Sequence, residues 1–193
     1  MKPRSVLPPL MLALAVLLLA SGCQTPVKLP PKPTTPAPKQ GRKESYWKGE
    51  GATGAAAVVV MLGEQRAYFY KGGEIVGEAN ISSGKKNFRT PSGDFKVIQK
   101  DRNHVSNLYG DFVDEAGEVV QKNVDTSKDP VPEGATFRGA KMPFFLRFHG
   151  GYGMHAGRVP NYPASHGCVR LPRFMAEHFY QNAESGTPVT VQE

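Results

Sequence analysis

The alternation of apolar and polar positions after residue 54 predicts a series of short β-strands. The run AAAVVVML (Ala55–Leu62) is rich in β-branched residues, and QRAYFY (Gln65–Tyr70) alternates before the glycine turn KGGE. A period of two between glycine turns is typical of half-buried strands in hairpins. EIVGEANIS extends the pattern as a third strand, and DFKVIQK (Asp94–Lys100) as a further one. The first half of the domain is therefore predicted to be an antiparallel meander.

Residues 101–141 lack this alternation and are rich in polar residues, with several Gly and Pro. The stretch predicts a long excursion with one short hairpin at DFVDEAGEVV. Long loops inside compact domains are usually functional or disordered. We therefore expect residues 101–141 to lie beside a site as a lid or insert.

The alternation returns after residue 142. Pro143–His149 and Tyr152–His155 predict two strands, CVRL a short third one, and TPVTVQE a closing strand. Pro172 suits the first turn of a helix that runs from Arg173 to about Ala183. The whole pattern predicts a mainly β fold, a β-sandwich or barrel with one or two short helices. Four side chains are predicted to form the inner face of the helix: Phe174, Met175, His178 and Phe179.

Charge is unevenly distributed along the 193 residues, which carry a formal net charge of +7. Eight of the 24 Lys and Arg, but only one of the 17 Asp and Glu, lie at or before Lys48, which leaves sixteen of each beyond it. A basic arm on a neutral domain does not favour a folded nucleic-acid-binding protein. Such an arm suits a tether near an anionic surface.

Residues 1–22 have the features of an export signal. Lys2 and Arg4 precede the apolar run LMLALAVLLLA, which is too short to span a bilayer comfortably. The following ASGC resembles the lipobox of bacterial lipoproteins, in which the cysteine, here Cys23, is lipidated and becomes the mature N-terminus. With Gln24 after it, the resemblance implies an outer-membrane lipoprotein facing the periplasm and cell wall. The alternative is an ordinary cleaved signal with an incidental cysteine.

Residues 23–48 predict an extended tether that leads to a domain at residues 49–193. The stretch from Pro26 to Lys48 is dense in Pro and Lys and poor in aliphatic residues. It cannot bury a core, and Pro favours polyproline II geometry. The tether would hold the domain at a distance from the membrane.

Cys168 is the second of the two cysteines and lies in the run ASHGCVRL. If Cys23 carries lipid, Cys168 is a lone thiol in an oxidising compartment, where it is exposed to oxidation. Burial as a small apolar side chain is the simple explanation of such a residue, but Gly, His and Ser are poor core neighbours and favour a nucleophile. A thiol with a pKa of about 8.5 needs a base. His166 lies two residues away on the same face, whereas His155 would come from a neighbouring strand, as catalytic Cys–His pairs usually do.

Three elements, in order, resemble the L,D-transpeptidase (YkuD-like) family. HAGRVPNYPASHGCVRLP contains the family's histidine followed by Ser-His-Gly-Cys-x-Arg, although the gap between them is short. TPSGDFKV (Thr90–Val97) is similar to its Thr-Pro-x-Gly-x-Phe element, and GTPVTV (Gly186–Val191) to its closing strand. The resemblance covers about Ala55–Gln192. It implies an L,D-transpeptidase-like β-sandwich that acts on peptidoglycan stem peptides as a monomer, with no cofactor and no metal.

The same resemblance implies a role for each residue of the motif. Cys168 would attack the carbonyl at the L-centre of the third residue of a stem tetrapeptide, expel D-alanine, and pass the acyl group to an amine. His155 would be the general base, oriented by the backbone carbonyl of Ala156. The remaining residues would form the oxyanion hole through the N–H groups of Gly167 and Cys168, support the site through Ser165 and His166, and hold a substrate carboxylate through Arg170.

Three alternatives remain open on the sequence. Water in place of the amine would make the same acyl-enzyme a carboxypeptidase or amidase. A metal-dependent hydrolase would use four ligands, His149, His155, His166 and Cys168, but there is no HExxH-like spacing. A non-catalytic wall-binding lipoprotein with a relic site would be free to lose Cys168 first.

Overall fold

The computed structural model describes residues 44–160 and 162–193. The predicted signal, Cys23 and most of the predicted tether lie outside these residues. No helix among those described is long and apolar enough to span a membrane. The described part contains thirteen strands and one helix, in this order: β1 Tyr46–Trp47, β2 Ala56–Met61, β3 Arg66–Lys71, β4 Glu74–Asn80, β5 Gly93–Lys96, β6 Gln99–Asp101, β7 Val105–Val113, β8 Val119–Asp125, β9 Thr136–Lys141, β10 Phe145–His149, β11 Tyr152–Ala156, β12 Val169–Leu171, α1 Arg173–Asn182 and β13 Pro188–Gln192.

The first sheet has six strands in the order β1-β4-β3-β2-β13-β5. Strands β2, β3 and β4 form the predicted antiparallel meander. The meander does not continue into β5, because β1 pairs with the free edge of β4. Strand β5 lies at the opposite edge of the sheet, beyond the closing strand β13, which is parallel to β2 and antiparallel to β5. Val58 and Val60 of β2 face the main core, whereas Val59 faces a smaller cluster on the other side. A strand that is apolar on both faces suits this central position.

The segment DFKVIQK is two strands rather than the single strand predicted. The Val97 N–H donates to Thr187 O at 2.8 Å, and the next N–H, that of Ile98, donates to Arg147 O at 2.8 Å. Successive residues therefore bond to different sheets. At this crossing the chain leaves β5 in the first sheet and enters β6 in the second.

The second sheet has the order β12-β11-β10-β6 and packs against the first. Large side chains from both sheets and from the helix share one core, among them Phe69, Leu146, Met154, Leu171 and Phe179. The predicted mainly β sandwich is confirmed. Strands β11 and β12 are parallel neighbours in this sheet, which brings the two ends of the sequence motif together.

Helix α1 follows Pro172, as predicted, and buries Met175, Ala176 and Phe179. Positions i, i+1 and i+4 lie on one face of a helix. Phe174 falls outside this face and is 48% exposed, so its predicted place in the core is wrong.

The domain begins before residue 49, so the predicted tether ends too late. The Asn80 N–H donates to Ser45 Oγ at 2.8 Å, and Tyr46–Trp47 pairs with β4. The Trp47 ring packs edge-on to Phe69 at 5.3 Å and stacks on His178 at 4.8 Å. Residues 45–47 therefore belong to the folded domain.

Residues 105–141 form a third, three-stranded antiparallel sheet in the order β8-β7-β9, here called the insert sheet. The predicted hairpin is present in β7 and β8, and β9 adds a strand that was not predicted. Register shifts interrupt both pairings, and the alternation of side chains is lost with them. A Cβ at Gly139 would lie 2.0 Å from Ser106 O, so this close approach of backbones requires glycine.

Candidate active site

Parallel pairing of β11 with β12 brings the predicted base and nucleophile to one site. His155 pairs with Arg170, and Met154 pairs with Val169, the residue after Cys168. Alternation along the strand puts Cys168 on the same side as Arg170. His155, Cys168 and Arg170 all line one cavity of about 1050 Å³ between the second sheet and the insert sheet.

His155 is buried, with only 6% of its surface exposed. Its Nδ1 lies 2.9 Å from the Ala156 carbonyl oxygen, which can only accept, so Nδ1 carries the proton. Burial lowers the pKa of His155 to about 4, and the charges of Arg170 and His104 act in the same direction. The imidazole is neutral at pH 7, and its Nε2 has a free lone pair for a proton.

Cys168 is half-buried at the entrance to β12. Burial raises the pKa of its thiol, and this effect is opposed by the Gly153 N–H and the positive charges of Arg147 and Arg170. Its Sγ lies 3.8 Å from Gly151 O. The sulfur is therefore a thiol at neutral pH, and attack on a carbonyl requires a base.

The loop before Cys168 is fixed by Ser165, whose Oγ donates to Cys168 O and accepts from the Gly167 N–H at 3.0 Å. The expected role of the Gly167 N–H as an oxyanion donor is not supported, because this group is already bonded to Ser165. Gly167 is required for another reason: its φ is +119°, and a Cβ would lie 2.5 Å from the Tyr152 ring. Thr90 Oγ1 donates to Gly167 O at 2.7 Å. This bond ties the TPSG element to residues 165–168, here called the nucleophile loop after the predicted role of Cys168.

His166 is held by contacts with three side chains. Its ring stacks on Tyr109 of the insert sheet with centroids 4.5 Å apart, and Phe88 packs edge-on at 4.7 Å. Lys85 Nζ, which can only donate, lies 3.1 Å from Nε2. Burial and the charge of Lys85 lower the pKa of His166. His166 therefore links the nucleophile loop to the insert sheet.

The four candidate metal ligands do not form a metal site. Among the described residues there is no group of three or more His, Cys, Asp or Glu placed to hold an ion. His149 is exposed at the end of β10 and stacks on Tyr152 at 6.1 Å. His155 and His166 have the partners described above. The donor set does not fit the metal-dependent alternative.

Residues 55–191 match the family model described as the L,D-transpeptidase catalytic domain, YkuD. The chain belongs to this family. No curated protein matches it.

Solved structures of L,D-transpeptidases have the same fold. An L,D-transpeptidase from Mycobacterium smegmatis is 21% identical with a TM-score of 0.56, over 72% of this chain and 59% of that one. L,D-transpeptidase 3 from Mycobacterium tuberculosis, in complex with a faropenem-derived adduct, is 21% identical with a TM-score of 0.56, over 72% and 60%. One from Xylanimonas cellulosilytica is 25% identical with a TM-score of 0.50, over 72% and 61%. The chain thus spans about three fifths of the length of these structures.

Several residues of this L,D-transpeptidase domain that contact the site were missed by sequence reasoning. Arg147 lies within electrostatic reach of Cys168, and its guanidinium is held by Gln99 Oε1 at 2.7 Å and Gly150 O at 2.8 Å. Lys85 and Tyr109 reach His166 from distant parts of the chain. No local signal marks any of the three, because each is defined by a long-range contact.

Proposed function

We propose that this chain is a peptidoglycan L,D-transpeptidase with Cys168 as nucleophile and His155 as base. His155 Nε2 takes the thiol proton as Sγ attacks the carbonyl at the L-centre of the third residue of a stem tetrapeptide. The carbonyl–nitrogen bond then breaks, His155 returns the proton to the leaving D-alanine amine, and a thioester remains. An acceptor amine attacks the thioester, loses a proton to His155, and releases the thiol as the new amide forms.

The observation that carries this proposal is that the Cys168 thiol and the His155 imidazole are in the protonation states that proton transfer between them requires. Burial raises the pKa of the Cys168 thiol and lowers that of His155 to about 4. Both are neutral at pH 7, so the thiol retains the proton that a neutral imidazole in the same cavity is ready to accept. The Ala156 carbonyl orients the imidazole in the way that a carboxylate does in a catalytic triad.

The developing oxyanion needs donors other than Gly167. We assign this role to the Cys168 N–H, which lies at the entrance to β12. Arg170 lines the cavity and is the residue closest in register to His155. We propose that its guanidinium holds a substrate carboxylate.

The experiment is product analysis with the full chain in detergent and a diaminopimelate-containing tetrapeptide, with and without a second stem as acceptor. Transpeptidation predicts D-alanine release together with a cross-linked dimer, and Cys168→Ala should give neither. Tripeptide alone, even with excess acceptor, would assign the chain to the carboxypeptidases or amidases. Unchanged turnover in Cys168→Ala would overturn the thiol mechanism itself.

We further propose that the protein acts as a monomer anchored by lipid on Cys23, facing the cell wall from the outer membrane. The support is the sequence pattern around Cys23 and the Pro-rich stretch that follows it. Cys23→Ala is expected to move the protein from the membrane fraction to the soluble fraction. Unchanged membrane fractionation of this variant would contradict the anchor.

A further inference from the structure

Positive charge is concentrated in the walls of the active-site cavity. The domain beyond Lys48 is neutral, with sixteen basic and sixteen acidic residues. The cavity takes six of the basic residues but only one of the acidic ones, Asp111. Random placement would give similar numbers of each. The six cations are Arg89, Arg138, Lys141, Arg147, Arg158 and Arg170.

None of these six cations forms an ion pair within the described part of the chain, although Asp111 lies opposite Arg138 in the pairing of β7 with β9. The ion pairs there join carboxylates to Arg66, Lys100, Arg102, Lys128 and His104 instead. The single lining carboxylate, Asp111, accepts a hydrogen bond from the Asn123 N–H at 2.9 Å. Like charges that line one cavity repel one another, and the repulsion is relieved when an anion enters.

Four of the six cations form two groups, one on each of the two sheets that line the cavity. Arg147 and Arg170 lie in the second sheet, near enough to Cys168 to lower the pKa of its thiol. Arg138 and Lys141 lie on β9 of the insert sheet. Arg138 Nη1 donates to Gly117 O at 3.1 Å. A ligand that pairs with the cations of both sheets must carry at least two negative charges at separate positions along its length.

We infer that the cavity selects acyl donors by their free carboxylates and discriminates against stem peptides in which these are amidated. The inference rests on the proposed function. A stem tetrapeptide has carboxylates on its isoglutamate, on the D-centre of diaminopimelate and on the terminal D-alanine. Amidation of the first two keeps size and hydrogen-bonding capacity but removes charge. Arg138 and Lys141 on the insert sheet are the specificity-determining residues for the carboxylates remote from Cys168.

The test compares acylation of the full chain by two tetrapeptides, one with both internal carboxylates free and one with both amidated. We expect kcat/KM to be at least about tenfold lower for the diamide, since charge-assisted hydrogen bonds are stronger than neutral ones. The double variant Arg138→Gln/Lys141→Gln should lose most of this difference, mainly through a higher KM for the free acid. Lys122→Gln, which removes an exposed charge on β8 of the same sheet, should retain it.

Acylation by faropenem distinguishes a failure of the proposed selectivity from a failure of the proposed function. Equal use of both peptides, or a preference for the diamide, with normal faropenem acylation of Cys168 would overturn the selectivity and leave the proposed function standing. Loss of discrimination in Lys122→Gln as well would assign the effect to overall charge and overturn the role of the cavity. Failure of both peptides and faropenem to acylate Cys168 would overturn the proposed function, and this inference with it.

Discussion

His155 Nδ1 donates to the backbone carbonyl of Ala156, the next residue along β11, at 2.9 Å. A carbonyl fixes the tautomer and orientation of the ring as a carboxylate would, but it carries no full negative charge. It therefore compensates little for burial, and the pKa of His155 falls to about 4. The cavity therefore holds a neutral imidazole and a neutral thiol, and the proposed mechanism starts from these rather than from a preformed ion pair.

The acylation rate is expected to depend on pH in a way that reports this low pKa. His155 accepts a proton from Cys168 only while it is neutral, so the rate should hold from pH 7 to about pH 5 and fall near pH 4. An ordinary imidazole would lose activity near pH 6.5. The second-order rate constant for acylation by faropenem, measured at each pH, checks this. An acid limb with its midpoint near 6.5 would contradict the assignment.

The same pKa shift makes stability depend on pH. Between pH 6.5 and 4 the unfolded chain binds a proton at His155 that the folded chain does not. The free energy of unfolding therefore decreases as pH falls through this window, by roughly 3 kcal/mol for a shift from 6.5 to about 4. Denaturant unfolding at pH 7 and pH 4.5 should show a smaller loss for His155→Gln than for the unchanged chain.

Gly167→Ala should displace the nucleophile. The added Cβ would lie 2.5 Å from the Tyr152 ring at a φ of +119°, so the loop must move, and even a shift of about 1 Å costs on the order of a hundredfold in rate. Gly73→Ala, in the turn between β3 and β4, is the matched control, because its φ of +91° gives backbone strain with no atom within 4 Å of the Cβ. It should lose about 1 kcal/mol of stability and keep its acylation rate. Similar rates for the two variants would refute the steric account.

Tyr109→Leu should uncouple the insert sheet from the nucleophile loop. The Tyr109 ring stacks on His166 with centroids 4.5 Å apart and planes 16° from parallel. Loss of the stack should lower kcat about tenfold for the tetrapeptide, whereas Tyr109→Phe keeps the ring and should restore it. A kcat for Tyr109→Phe as low as that of Tyr109→Leu would instead assign the effect to the hydroxyl.

Trp47→Ala should destabilise the domain although it lies far from the motif in sequence. The Trp47 ring is close enough to Gly49 and Gly77 that a Cβ at either would clash with it. The ring is half-buried and packs against the main core, so its removal should lower the free energy of unfolding by roughly 2 kcal/mol, less than the roughly 3 to 5 kcal/mol of a fully buried ring. Tyr46→Ala, the neighbouring change in β1, should cost less than about 1 kcal/mol. Chemical denaturation distinguishes them, and equal losses would show that Trp47 has no special place in the core.

Local patterns predicted the elements whose formation depends on neighbouring residues. The β2–β4 meander follows from alternation between glycine turns, and α1 from Pro172 and its periodicity. The pairing of β13 with β2 joins residues more than a hundred positions apart, and no local pattern specifies it. In the insert sheet only the hairpin of β7 and β8 was predicted. Its third strand, β9, was missed because register shifts interrupt the pairing with β7 and no alternation marks the strand.

In the candidate site, too, the features set by local sequence could be predicted and those set by long-range contacts could not. His155 and Cys168 could be predicted because the motif places His155 on one strand and Cys168 just before the next, and the structure brings both into one cavity. The bond from the Gly167 N–H to Ser165 Oγ could not be predicted, because it depends on the three-dimensional course of a four-residue loop. The concentration of cations in the cavity could not be predicted either, because the six residues come from five separate segments of the chain.

The most direct test of the central claim is the location of the acyl group. The full chain in detergent, incubated with the diaminopimelate-containing tetrapeptide, is quenched in acid and its peptides are mapped by mass spectrometry. The account predicts one adduct, on Cys168, with the mass of the tetrapeptide less D-alanine, and none in Cys168→Ala. An adduct on another residue, or D-alanine release without any adduct in the unchanged chain and undiminished in Cys168→Ala, would contradict it.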